Sequence, residues 1–94
     1  MRQILIVDDE PTIREAIAMV LTDEGYTVLV APDGRTALEM IVAAPDLLIT
    51  DLMMPGLDGW GLFDHVREEY PTLPVILMSA IDLTHWGGLP PPRF

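Results

Sequence analysis

The chain of 94 residues contains no cysteine and no lysine. Without cysteine, disulfide bonds, thiolate catalysis and zinc–thiolate sites are excluded, and a reducing cytoplasm is compatible with the composition. The lack of cysteine does not by itself fix the compartment; our prediction is a cytoplasmic location. All five basic side chains are arginines: Arg2, Arg14, Arg35, Arg67 and Arg93.

Long hydrophobic runs and positive charge are also scarce. No apolar run approaches the roughly 18 residues that a transmembrane helix needs. The first apolar run, "ILIV", leads directly into Asp8, Asp9 and Glu10, which is not the pattern of a secretory signal. The net charge of −10 argues against direct binding to nucleic acid or to a membrane surface, whereas it suits a cation, a basic partner or simple solubility.

Half of the residues are hydrophobic, so one packed domain is expected. Short apolar runs at 3–7, 26–31, 46–50 and 74–80 have the length and branching of buried strands. Between them lie three helical patterns, with Pro11, Asp33 and Asp58 or Gly59 at their starts. Strands that alternate with helices in this way predict an α/β, doubly wound parallel sheet covered by helices on both sides.

The helices carry apolar stripes at helical spacing. We predict that Ile13, Ala16, Ile17, Val20 and Leu21 form the stripe of the first helix, and that Ala37, Leu38, Ile41 and Val42 form that of the second. Residues 81–94 differ from the rest, with two adjacent glycines and three consecutive prolines. We therefore divide the chain into a core at 1–80 and an atypical Gly/Pro-rich tail at 81–94.

Carboxylates follow two of the predicted strands. Asp8 and Asp9 follow the first, Asp51 follows the third, and Ser79 ends the fourth. The carboxyl ends of parallel strands meet at one edge of a sheet, so these side chains are expected to share a pocket. Oxygen ligands favour a hard cation, with Mg²⁺ before zinc. Helix capping before Pro11 is an alternative for Asp8 and Asp9, but it does not account for Asp51.

At this point the residues match a known family. The segments "ILIVDDEP", "LLITDLMMPGLDGWGL" and "PVILMSA" resemble, in order and spacing, the acidic-pair, phospho-acceptor and fourth-strand motifs of the receiver domain of two-component response regulators. The resemblance covers about residues 3 to 80. It implies a flavodoxin-like receiver fold.

The resemblance also implies a role for each matching residue. Asp51 would accept a phosphoryl group from a sensor histidine kinase or a phosphotransfer protein. Asp9 would bind Mg²⁺ directly, Asp8 would bind it through water, and the Met53 backbone carbonyl would complete the protein's ligands. Ser79 would contact the phosphoryl oxygens and report phosphorylation.

The end of the chain departs from the family pattern. The family has a fifth strand and a fifth helix, which the resemblance implies are missing or replaced here, and a lysine that this sequence lacks. Arg93 could supply charge there, although arginine is not equivalent to lysine. Because an uncovered fourth strand would leave an apolar edge, we expect the chain to pair with a second copy. Exchange of structural elements between the two copies is one way to form such a pair.

Three functions are compatible with these residues. The first is a phosphorylatable receiver, an acceptor in phosphorelay signalling rather than a turnover enzyme. The second is a degenerate receiver that acts as a dimerisation or interaction module without phosphorylation. The third is a Mg²⁺-dependent phosphohydrolase resembling the haloacid dehalogenases, which is disfavoured because their nucleophile lies on strand 1 in a DxD pattern.

Overall fold

The computed structural model describes residues 2–78, which form a four-stranded parallel sheet with helices on both faces. In chain order the elements are β1 (Gln3–Val7), α1 (Pro11–Asp23), β2 (Thr27–Ala31), α2 (Gly34–Met40), a short 3₁₀ helix (Ile41–Ala43), β3 (Leu47–Asp51), α3 (Gly59–Glu69) and β4 (Val75–Met78). The strand order is β2-β1-β3-β4. The predicted α/β doubly wound parallel fold is therefore confirmed over these residues.

The two faces of β1 enter two separate cores because successive side chains of a strand point to opposite sides. Ile4 and Ile6 pack with Ile49 on the face that α1 covers through Ile17 and Leu21. The other face is covered by α2 and α3. Its core contains Leu5, Val7, Leu48, Ala37, Ile41, Leu62 and Val66.

The three α-helices begin at or next to the residues that the sequence predicted for their starts. Pro11 occupies the first turn of α1, where its missing N–H is tolerated. The Asp33 carboxylate caps α2 by accepting a hydrogen bond from Thr36 N–H, and this bond lowers the pKa of Asp33. The Asp58 carboxylate caps α3 by accepting from Gly61 N–H at 2.8 Å. Gly25, with φ of +96°, follows the end of α1 as predicted.

Two apolar stripes differ from the prediction. The second helix tightens into a 3₁₀ turn after Met40, and Ala44 adopts a left-handed φ of 57° before the chain enters β3. This change of winding turns Val42 outward, where 76% of it is exposed. In α1, Ile17 and Leu21 pack on the sheet, whereas Ile13, Ala16 and Val20 are exposed to solvent.

The predicted loss or replacement of strand 5 and helix 5, and the tail at 81–94, lie outside the described residues. No helix among residues 2–78 is long and apolar enough to cross a bilayer.

The α2/α3 core generates a stability prediction. Leu62→Ala removes a fully buried side chain of α3 and should lower the free energy of unfolding by about 2–5 kcal/mol, from lost transfer energy and the cavity left behind. Met19→Ala, on the exposed face of α1, should change it by less than about 0.5 kcal/mol. Urea unfolding followed by circular dichroism measures both; equal effects would contradict this assignment of the core.

Candidate functional site: an acidic cluster at the carboxyl edge of the sheet

The parallel register brings the ends of β1 and β3 together. Val7 pairs with Thr50, so the residues that follow them, Asp8 and Asp51, are neighbours across the sheet. Each of Asp8, Asp9 and Asp51 offers a carboxylate oxygen, and these three atoms lie within 4.8 Å of one another. The structure thus places together the three carboxylates that the sequence pattern suggested.

Asp8 is held firmly by the chain around it. Only 3% of the residue is exposed, and its Oδ1 accepts a hydrogen bond from Glu10 N–H at 2.9 Å. Its carbonyl accepts a hydrogen bond from the Arg14 guanidinium at 2.7 Å, and its N–H donates to the carbonyl of Ala31. Asp9, by contrast, is exposed.

Helix capping does not explain the pair. The N-cap of α1 is Glu10, whose Oε1 accepts from Thr12 N–H at 3.3 Å. Neither Asp8 nor Asp9 occupies that position, so the capping alternative is wrong for both.

Asp51 is the last residue of β3 rather than the first residue after it, and only 9% of it is exposed. Burial raises the pKa of its carboxyl, and the negative charges of Asp8 and Asp9 raise it further. The N–H of Met53, which donates to Asp51 Oδ1 at 3.3 Å, acts in the opposite direction. A cation bound among the three carboxylates would remove the charge repulsion that raises this pKa.

The loop after Asp51 alternates between buried and exposed side chains. Leu52 and Met54 are buried, whereas 67% of Met53 is exposed. The Met53 side chain therefore contributes little to packing. Within residues 2–78 no hydrogen bond engages the Met53 carbonyl, and its role as a metal ligand stays a prediction.

Gly59 allows the loop to return against the end of β3. A side-chain carbon at this position would collide with the carbonyl oxygen of Asp51, and it would lie 2.7 Å from Leu52 Cα. The Gly59 N–H also donates to the Leu52 carbonyl at 3.1 Å. The first turn of α3 is thus packed directly on the backbone that carries Asp51.

The fourth strand runs alongside the cluster. Met78, its last residue, pairs in register with Asp51, and its carbonyl accepts from Leu52 N–H at 2.9 Å. Ser79 and Arg93 lie outside the described residues, so the proposed contact of Ser79 with a phosphoryl group stays a prediction.

Sequence reasoning missed the residues that support the cluster. The sequence predicted no role for Arg14, yet its guanidinium binds the backbone carbonyl of Asp8. Glu10 was not recognised as a cap, although it directly precedes Pro11 in the first turn. An arginine one turn into a helix that follows an acidic pair was the available signal for the first of these.

Comparisons with known proteins point to one family. The family model of the response regulator receiver domain matches residues 4–84. The chain is 40% identical over 90 residues to the alkaline phosphatase synthesis transcriptional regulatory protein SphR of Synechococcus elongatus, covering 85% of this chain and 35% of that protein. It is 43% identical over 81 residues to the response regulator MprA of Mycobacterium ulcerans, with the same coverage of 85% and 35%. The chain thus spans about a third of the length of these curated relatives.

Solved structures show the same fold. The response regulator TrrA of Thermotoga maritima, in complex with Mg²⁺ and BeF, is 37% identical with a TM-score of 0.83, covering 92% of this chain and 80% of that one. The chemotaxis protein CheY4 of Vibrio cholerae is 36% identical with a TM-score of 0.78, covering 82% and 67%.

The packing of Gly59 leads to a test of the loop. Gly59→Ala should destabilise the fold by about 1–3 kcal/mol, because the new methyl group meets rigid backbone at Asp51 and Leu52. Gly61→Ala is the matched control: its methyl group meets the end of the Leu57 side chain, which can move, and alanine favours a helix. Thermal unfolding of the two variants measures the difference, and a Gly59→Ala protein as stable as Gly61→Ala would contradict the close approach.

Proposed function

The chain belongs to the response regulator receiver domain family, and from this membership we propose that Asp51 is its phospho-acceptor. One observation carries the proposal: β3 delivers the Asp51 carboxylate into a group of three carboxylates whose oxygens lie within 4.8 Å of one another. The buried Asp8 and the exposed Asp9 flank it, so the cluster has one side open to a phosphodonor.

The proposed reaction is transfer from a phosphohistidine of a sensor histidine kinase or a phosphotransfer protein. A carboxylate oxygen of Asp51 forms a bond to phosphorus, and the phosphorus–nitrogen bond of the donor breaks. The imidazole nitrogen keeps the bonding electron pair and takes a proton from solvent. The protein is then an acceptor that carries an acyl phosphate, not an enzyme that turns over substrate.

Mg²⁺ fits the chemistry of this cluster, because it prefers oxygen ligands and is commonly held by one or two carboxylates and waters. Asp8, Asp9, Asp51 and the Met53 carbonyl are the groups that would hold it. When bound, Mg²⁺ would offset the charge of the carboxylates and of the transferred group. Asp51 presents the attacking oxygen, Met53 N–H orients its carboxylate, and Arg14 fixes the backbone of Asp8.

The wider role is inferred from relatives. Some are named transcriptional regulatory proteins, so we propose that a whole protein carrying this receiver regulates transcription in the cytoplasm. The net charge of −10 argues against direct contact of this receiver with DNA, so we propose that any DNA contact is made by another part of such a protein.

Self-association is the second part of the proposal. Among the described residues, β4 pairs only with β3, and its outer edge leaves backbone groups open. Beside it an apolar groove of about 380 Å³ runs between α1 and the sheet, lined by Ile17, Val20, Ile49, Ile76 and Met78 among others. We propose that a second copy covers this surface, because antiparallel pairing of two β4 edges about a two-fold axis would bring both grooves to one interface.

The acceptor role is tested by intact mass after incubation with Mg²⁺ and acetyl phosphate. The unmodified chain should gain one phosphoryl group, and Asp51→Asn should gain none, because an amide cannot form the acyl phosphate. Asp64→Asn, an exposed acid of α3, is the matched control and should be labelled normally. Chelation of Mg²⁺ should abolish labelling of the unmodified chain and of Asp64→Asn, whereas an adduct that persists in Asp51→Asn would overturn the assignment.

Self-association is tested by size-exclusion chromatography with light scattering. The chain should elute as a dimer at micromolar concentration and dissociate less at high salt, because salt screens the repulsion between two bodies of charge −10. Ile76→Glu should yield a monomer, whereas Val42→Glu, at a more exposed apolar site on the 3₁₀ helix, should not. A stable monomer of the unmodified chain would rule the proposal out.

A further inference from the structure

A second cavity adjoins the acidic cluster. It has a volume of about 540 Å³ and lies between the start of α2 and the loop that joins β3 to α3. Asp9 lines it on one side, Arg35 and Thr36 line it from α2, and Gly56 lines it from the loop. Because Asp9 belongs to both the cluster and the cavity, a molecule that reaches Asp51 from this side has room for its remaining atoms here.

Arg35 is the basic group of this cavity; its charge helps to lower the pKa of Asp33, but its guanidinium donates no hydrogen bond among residues 2–78. Among residues 2–78, the Arg14 guanidinium donates to Asp8, and the Arg67 guanidinium donates to the carbonyls of Pro71 and Leu73. The Arg35 guanidinium makes no hydrogen bond or ion pair within the same residues, and it is exposed. Its N–H groups are therefore available to a ligand.

The acids around Arg35 do not neutralise it fully. Asp33 lines the same cavity, but its carboxylate accepts from Thr36 N–H at 2.7 Å as the cap of α2. Glu39 is exposed and forms no ion pair with Arg35 within the described part of the chain. A planar guanidinium that lines the same cavity as Asp9 suits an anionic group with two oxygens, which it can bind with two parallel hydrogen bonds.

We propose that this cavity is a subsite for the leaving group of small acyl phosphates, with Arg35 as the residue that binds its carboxylate oxygens. The proposal rests on the acceptor role of Asp51. With acetyl phosphate, an Asp51 oxygen bonds to phosphorus, the bond from phosphorus to the acyl oxygen breaks, and acetate leaves with the electron pair. Arg35 binds the oxygens on which that negative charge develops, so its interaction is stronger in the transition state than with the intact donor, and this difference speeds the transfer.

The test compares two substitutions that remove the same charge. Arg35→Gln should slow labelling by acetyl phosphate about fivefold, the scale of an exposed charge pair. Arg2→Gln removes an arginine that precedes β1, at the opposite edge of the sheet, and should stay within about twofold of the unmodified chain. Arg35→Lys should restore part of the rate, because lysine keeps the charge and loses the two-pronged geometry. Initial rates in saturating Mg²⁺, read by intact mass, measure all three.

A second phosphodonor separates contact from a general field effect. Phosphoramidate loses ammonia, which has no anionic oxygen, so Arg35→Gln should slow its reaction by less than about twofold. Equal slowing with both donors, or equal rates of Arg35→Gln and Arg2→Gln with acetyl phosphate, would overturn the subsite. If the unmodified chain accepted no phosphoryl group from either donor, both the acceptor role of Asp51 and the subsite would fail. If the chain were labelled but Arg35→Gln slowed both donors equally, only the subsite would fail.

Discussion

Three carboxylates within 4.8 Å of one another constrain everything else at this edge of the sheet. Their mutual repulsion opposes ionisation, and the pKa of the nearly buried Asp51 is raised by burial and by its two acidic neighbours. A fold does not place charges this way for stability, since unpaired buried charge is unfavourable. The arrangement is understandable if the cluster holds a cation and receives a phosphoryl group whose charge that cation offsets.

The backbone around the cluster provides the rigidity that such a site needs. Arg14 binds the carbonyl of Asp8, Met53 N–H orients the carboxylate of Asp51, and Gly59 lets α3 pack against the same strand end. These contacts come from three different elements, so the positions of the carboxylates depend on the whole sheet. A change in the cluster, such as added phosphoryl charge, would in turn act on α1 and α3 through the same contacts.

Much of this could be predicted from the sequence, because the strands are short apolar runs and the carboxylates follow them directly. The register that unites Asp8 and Asp51 follows from strand order, which the alternation of strands and helices already limited. The exposure of Val42 could not be predicted, since the change from α-helix to 3₁₀ helix depends on how the chain enters β3. Nor could the lack of a hydrogen-bond partner for the Arg35 guanidinium among residues 2–78 be predicted, because it depends on the three-dimensional surroundings rather than on spacing.

The absence of lysine gives Arg35 its particular interest. An acidic reaction centre needs positive charge to attract an anionic donor, and in this chain only arginine can supply it from a side chain that stays charged at every physiological pH. Among residues 2–78, Arg14 and Arg67 are engaged with backbone carbonyls and Arg2 precedes β1 at the far edge. Arg35, which lines one cavity with Asp9, is therefore the guanidinium in this part of the chain that we propose meets a donor, and its planar geometry would favour donors whose leaving group carries paired oxygens.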